Sequence, residues 1–163
     1  MFDRYLVRTD SLENVSFAGK TVGYRFAVHN SNYRGVFVSL HNGYFLVMDG
    51  ELVPRDQQAF AVNGRAPRGF DEIRNAGYEH WDFADEAWVY VDRPGGLAEG
   101  AHTMVFKQSV FAAYGYFPGC GEYITDPPQP GPETRHFLIM DKTYNPVTYD
   151  LVLRDSTPKE MAR

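Results

Sequence analysis

Cysteine is almost missing from this sequence: Cys120 is the single one in 163 residues. One thiol cannot close an internal disulfide, and alone it cannot build a structural zinc site. Lysine is scarce too, with only Lys20, Lys107, Lys142 and Lys159. Runs of Ala, Leu, Glu and Lys, the residues that propagate long helices, are absent. No apolar stretch approaches the ~20 residues that a membrane-crossing helix needs. The opening Met1-Phe2-Asp3-Arg4-Tyr5 lacks the basic start and apolar run of a secretory signal, so a cytoplasmic protein is expected. Positive charge is not in excess either. There are 16 basic against 21 acidic residues, a formal net charge of -5. The most basic stretch, Arg65 to Arg74, also holds Asp71 and Glu72. Nucleic-acid binders carry a basic face, so neither nucleic acid nor a membrane is an expected partner.

What is abundant is aromatic. Phe, Tyr and Trp make up 15% of the chain, beside 15 Gly and 10 Pro. That mixture favours strands and turns over helices. The length suits one domain, residues 1–163, able to bury a core without a staple.

Apolar residues alternate at Val22, Tyr24, Phe26 and Val28, the period of a half-buried strand. Val36 to Leu40 and Tyr44 to Met48 are two more strands, and His41-Asn42-Gly43-Tyr44 between them reads as a tight hairpin turn. Asp49-Gly50 and Asn63-Gly64 repeat the turn signal. Phe70 to Ala76 is the one helical stretch expected. Ala87 to Val91 is a compact strand ended by Arg93-Pro94-Gly95-Gly96. His102 to Ala113 is a strand long enough to demand a bend or bulge. Gly115 to Pro132, with five prolines and four glycines, reads as a long ordered arm and not a central strand. Phe137 to Met140 and Val147 to Leu153 are further strands, and Asp155 to Arg163 a loose polar tail. About nine or ten strands with turn signals between them predict an all-β protein, an antiparallel β-sandwich of jelly-roll or immunoglobulin-like type.

Catalytic signals are sparse. The five histidines, His29, His41, His80, His102 and His136, form no short metal-binding pair. His80 and Asp82 share a strand face, which suits either half of a metal site or a solvated face beside buried Trp81 and Phe83. Cys120, in Pro118-Gly119-Cys120-Gly121-Glu122, is an accessible thiol with no base beside it in sequence. Pro94-Gly95-Gly96-Leu97 has no helix behind it, so it is a turn and not a phosphate cradle. The cluster Phe111, Tyr114, Tyr116 and Phe117, leading with Tyr123 into the Pro-rich arm, suits a flat ring or a partner's pocket. A partner-dependent protein is the expectation. A stand-alone carbohydrate-binding module, or a cupin-like metalloenzyme using His80, Asp82 and a further histidine, are the alternatives.

The order of several short segments adds a resemblance. They are Met1-Phe2-Asp3-Arg4-Tyr5, Asn32-Tyr33-Arg34-Gly35-Val36 through Ser39, Val47-Met48-Asp49-Gly50-Glu51-Leu52-Val53-Pro54, and Phe60-Ala61-Val62-Asn63-Gly64-Arg65. Trp81-Asp82-Phe83 and Pro94-Gly95-Gly96-Leu97-Ala98-Glu99-Gly100-Ala101-His102 follow. In that order and spacing, over about residues 1 to 117, the chain resembles the small (beta) subunit of bacterial C-glycoside deglycosidases. The resemblance implies a β-sandwich that pairs with a larger alpha subunit, a TIM barrel similar to xylose isomerase. It implies that the divalent metal, usually manganese, and the acid–base residues belong to that partner, with no cofactor in this chain. The substrate implied is a 3-oxo-C-glycoside of an aromatic, flavonoid-like aglycone. Its carbon–carbon bond offers no leaving oxygen to protonate, so ordinary glycoside hydrolysis is closed. A 3-ketone acidifies the C2 proton, and a base that removes it lets the aglycone leave by elimination. Catalytic and metal residues are therefore not expected here. Tyr33 and Arg34 are expected at the subunit interface, and Tyr114, Tyr116 and Phe117 at the aglycone pocket or interface, because Tyr and Arg anchor interfaces.

Overall fold

The computed structural model describes residues 6–30, 35–110 and 147–161. The strands in chain order are β1 (Glu13–Phe17), β2 (Lys20–Val28), β3 (Val36–Phe37), β4 (His41–Met48), β5 (Glu51–Leu52), β6 (Gln58–Ala61), β7 (Arg68–Gly69), β8 (His80–Trp81), β9 (Ala87–Asp92), β10 (Gly100–Val110), β11 (Val147–Leu153) and β12 (Lys159–Glu160). One helical turn, α1 (Phe70–Ile73), follows β7. The protein is all-β, as the turn-punctuated alternation predicts.

A six-stranded sheet runs β12-β1-β2-β9-β6-β7 and a four-stranded sheet β11-β10-β4-β5; β3 and β8 form a separate pair. Alternation decides which side chains meet between the sheets. Tyr24 and Phe26 of β2, Val89 and Val91 of β9, Leu46 and Met48 of β4, Met104 and Phe106 of β10, and Leu151 and Leu153 of β11 belong to one buried cluster. Phe26 meets Phe106 edge to face at 5.9 Å, one aromatic from each sheet. Phe106 also stacks on Tyr44 at 4.5 Å.

Three expectations need correction. His41-Asn42-Gly43-Tyr44 is not a hairpin turn but the start of β4, and β3 pairs with β8 instead. Opposite it the β10 register slips between Ser109 and Val110, so Asn-Gly here makes a bulge. Gly43, at φ 108, lies under the Arg55 side chain and Phe70, both 3.5 Å from where a Cβ would stand. The bend expected in the long strand is this same bulge. Second, the tail is not all loose. Its β12 runs parallel to β1, the one parallel pair among the described residues. Glu160 draws it in, accepting from Ser16 Oγ at 2.7 Å and Ala18 N at 2.9 Å. Third, Phe83 is not buried beside Trp81 but 36% exposed. Asp49-Gly50 does turn between β4 and β5, with both φ values positive at 51° and 82°, as a two-residue hairpin of this hand requires.

The Pro94-Gly95-Gly96-Leu97 turn is held by one side chain. Asn14 accepts from Leu97 N at 2.8 Å and donates to Leu97 O at 2.9 Å. A Cβ on Gly96 would sit 2.5 Å from Asn14 Oδ1, so the glycine makes room for the clamp. The motif is structural, as the missing helix behind it implies. Across the turn, His102 Nδ1 meets Asp49 Oδ2 at 2.6 Å and its Nε2 meets Ala98 O at 2.7 Å. Both partners are acceptors, so this histidine ties the β10 start to the β4–β5 hairpin through both ring nitrogens.

Candidate functional site

Trp81 organises one corner of the sandwich. Its side chain is fully buried, and its indole N–H donates to Asp85 O at 2.9 Å. Asp85 N donates to Asp82 O at 3.0 Å, closing the turn Asp82-Phe83-Ala84-Asp85. The Trp81 carbonyl accepts from buried Asn30 Nδ2 at 3.2 Å. Gly35, at φ 74, approaches the same carbonyl so closely that a Cβ would lie 2.6 Å from it and 2.5 Å from His80 Cε1. Asn30 and Gly35, the flanks of residues 31–34, thus both close on Trp81.

Beside this corner lies a groove of about 520 Å³, lined by Leu6 to Asp10, His29, Asn30, Phe83 and Ala84. Arg8 crosses its rim. It donates from Nε to Glu86 Oε2 at 2.8 Å and from Nη2 to Oε1 at 3.0 Å, a bidentate pair. That bond to Glu86, ahead of a smaller opposing effect of burial, raises the already high pKa of the guanidinium. Arg8 Nη1 also reaches Asp10 at 3.3 Å, and His29 Nε2 lies 3.5 Å from Glu86.

His80 and Asp82 are together, as strand alternation predicts: Nδ1 and Oδ1 are 2.5 Å apart. A carboxylate only accepts, so Nδ1 carries the shared proton. Phe37 packs edge-on against the His80 ring at 5.3 Å while remaining 47% exposed. Tyr78 is fully exposed nearby in sequence. Among the described residues no group of three or more His, Cys, Asp or Glu is placed to hold a metal ion, so the third ligand of a cupin-like site is not found there.

A second polar cluster is one that sequence inspection missed. His41 is fully buried, its ring 4.6 Å from Phe60, 4.8 Å from Tyr44, 5.3 Å from Phe70 and 5.4 Å from Trp81. Its Nε2 meets the Tyr44 hydroxyl at 2.7 Å. Burial pushes the Tyr44 phenol well above its ordinary pKa, outweighing a hydrogen bond with Gln108, so Tyr44 stays neutral. Gln58 donates to both Tyr44 O and Val53 O. The cluster lies within the packed aromatic core, and neither groove found among the described residues includes it. The signal available in sequence was a histidine beside Asn-Gly at a misread turn.

On the outer face of the six-stranded sheet, Arg25 sits 4.1 Å from the Trp88 ring centre and 5.6 Å from that of Tyr90. Its guanidinium also donates to Tyr90 Oη at 2.8 Å and Glu13 at 2.9 Å. A stacking platform for sugars needs an open ring face. Here a cation covers the tryptophan, which does not favour the carbohydrate-module reading.

Of the residues expected at an interface or pocket, Tyr33, Arg34, Tyr114, Tyr116 and Phe117 all lie outside the described residues, as do Cys120, His136 and the Pro-rich arm. Their flanks are described at one place. Asn30 lines the groove and Gly35 abuts His80.

Comparison with known proteins points the same way as the segments quoted from the sequence. The pattern of the family described as C-glycoside deglycosidase beta subunit matches residues 2–114. That stretch includes Tyr33, Arg34, Tyr114 and the whole Trp81 corner, and stops before Tyr116, Phe117 and the arm. A C-glycoside deglycosidase beta subunit of Eubacterium cellulosolvens is 34% identical over 96 residues, which cover 59% of this chain and 65% of that protein. The alignment thus spans just under two thirds of that relative's length. With well over half its residues inside the family's pattern, the chain belongs to the C-glycoside deglycosidase beta subunit family.

Proposed function

We propose that this chain is the beta subunit of a heteromeric C-glycoside deglycosidase and supports a catalytic centre held by a larger partner. The observation that carries this reading is the family match across residues 2–114. The partner proposed is an alpha subunit with a TIM barrel of the xylose-isomerase kind. The substrate proposed is a 3-oxo-C-glycoside of an aromatic aglycone, cleaved by elimination across the carbon–carbon bond.

The described residues of this chain offer no donor set that fits a metal ion. We assign the divalent metal, usually manganese, to the partner on the family resemblance; there it would polarise the sugar ketone. The part assigned to this chain is cover. A rigid β-sandwich laid over a barrel mouth excludes water and gives the flat aglycone a wall. Tyr33, Arg34, Tyr114, Tyr116 and Phe117 are the residues proposed for that interface and wall.

The test is reconstitution. The chain and the larger subunit are purified separately, then assayed alone and mixed on a 3-oxo-C-glucoside. Turnover by the mixture and by neither part is expected. Turnover by this chain alone, or no association between the two, overturns the reading. In the working complex, Tyr116→Ala is expected to lower turnover or assembly; no change in either removes Tyr116 from the site.

A further inference from the structure

The charges described in and beside the groove next to Trp81 are mostly negative. Asp10 lines it, Glu86 binds its Arg8, and Asp82 and Asp85 flank Phe83 and Ala84 in the adjoining turn; Arg8 is the one Arg or Lys among its described lining residues. Arg8 is already engaged: Glu86 takes it bidentately and Asp10 takes a third N–H. Asp82 is 68% exposed even with His80 bound, and Asp10 is 62% exposed. Asp85 is exposed as well, because the turn is held through its backbone carbonyl and amide. The apolar part of the groove's lining is Leu6, Val7, Phe83 and Ala84.

Stiffness matters as much as charge. The turn carrying Phe83 is closed by its own hydrogen bond and bolted to a fully buried indole. A surface ordered before contact loses little freedom on binding. An apolar trough with an acidic rim complements a segment that offers a large apolar side chain beside a Lys or Arg. An acidic segment would find Arg8 occupied and the rim repulsive.

We propose that this groove is the docking seat for the partner subunit, and that it takes a basic, apolar-tipped segment of that subunit. The proposal rests on the beta-subunit reading above and adds to it the face used and the chemistry of the contact.

Charge reversal tests it on the full chain and the purified larger subunit. D10K/D85K changes exposed Asp10 of the lining and exposed Asp85 of the turn that carries Phe83. E99K/D150K makes the same change in net charge at exposed sites outside the groove. Thermal melts confirm that both variants fold. Association rates are then measured at low and high salt. D10K/D85K is expected to associate about tenfold more slowly at low salt and to lose most of the salt dependence, as when electrostatic steering is removed. E99K/D150K is expected to stay within about twofold of the parent. F83S is expected to weaken the complex mainly by faster dissociation, with the salt response kept. Equal behaviour of the two charge variants, or no effect of either, overturns the groove as the seat while the parent's assembly upholds the subunit reading. If the parent chain does not associate with the larger subunit, the subunit reading itself fails and takes this one with it. A variant that fails to fold is replaced by D10N/D85N, for which a smaller loss of the same sign is expected.

Discussion

Gly35→Ala is the most informative single change in this chain, because its effect is worked from the backbone alone. At φ 74, alanine costs about 1–2 kcal/mol more than glycine for backbone strain. The new Cβ would then stand 2.6 Å from Trp81 O and 2.5 Å from His80 Cε1. The imidazole can swing aside, but the carbonyl belongs to β8 and cannot. Relief requires β3 to move away from β8, giving up the Val36–Trp81 pairing and straining the Asn30 bond to the same carbonyl. Each lost hydrogen bond is worth about 1 kcal/mol net. Strain and lost pairing together come to about 3–5 kcal/mol. Gly50→Ala is the matched control: φ is 82°, yet nothing lies within 4 Å of its Cβ position. It carries the strain alone, about 1–2 kcal/mol. Urea unfolding of both variants separates the two contributions. The Gly35 variant should also melt roughly 10 °C below the parent, at about 2–4 °C per kcal/mol for a chain of this size. It should bind the larger subunit poorly even at temperatures where it is folded. Equal losses in the two glycine variants would refute the close-approach argument and with it the rigidity of the Trp81 corner.

Other consequences follow from single contacts. Asn14→Ala leaves the amide and carbonyl of Leu97 without their partner in a buried turn, so a loss of about 2–4 kcal/mol is expected in urea unfolding. Tyr44→Phe removes the hydroxyl from buried His41 and is expected to cost about 1–3 kcal/mol by the same measurement. The bonds from Arg68, aided by Arg65 and opposed by burial, hold the Glu79 carboxyl below its ordinary value of 4.5. A carboxyl depressed in the folded state stabilises above its unfolded value, and that stabilisation is lost as pH falls through the folded one. Stability should therefore decline as pH drops below about 4.5, and Glu79→Gln should lower stability at neutral pH while flattening that decline. A Glu79→Gln curve parallel to the parent's would remove the Arg68–Glu79 pair from the account. Asp49 titrates in the same sense, because bonds from His102 and Thr103 outweigh a burial effect that would raise it.

Much of this protein was legible in its chain. Period-two alternation along Tyr24-Phe26-Val28 and Leu151-Leu153 names inward residues directly, because successive side chains must point to opposite faces of a strand. Asp49-Gly50 named its own turn, since few residues accept two consecutive positive φ values. The segments from Tyr33-Arg34-Gly35 to Ala101-His102 carried the family, and the matched stretch covers them. What stayed hidden was everything decided by contacts distant in sequence. Asn-Gly at 42–43 has the composition of a turn, and only the Ser109–Val110 slip in β10 makes it a bulge. The polar tail carries no apolar signal for a strand, yet Glu160 pins it to Ser16 across 144 residues. Arg8 and Glu86, 78 residues apart, give no local sign that they meet beside Phe83. Local pattern fixes which side of a strand faces inward; which strands become neighbours, and therefore which charges gather around a groove, is settled when the whole core packs at once.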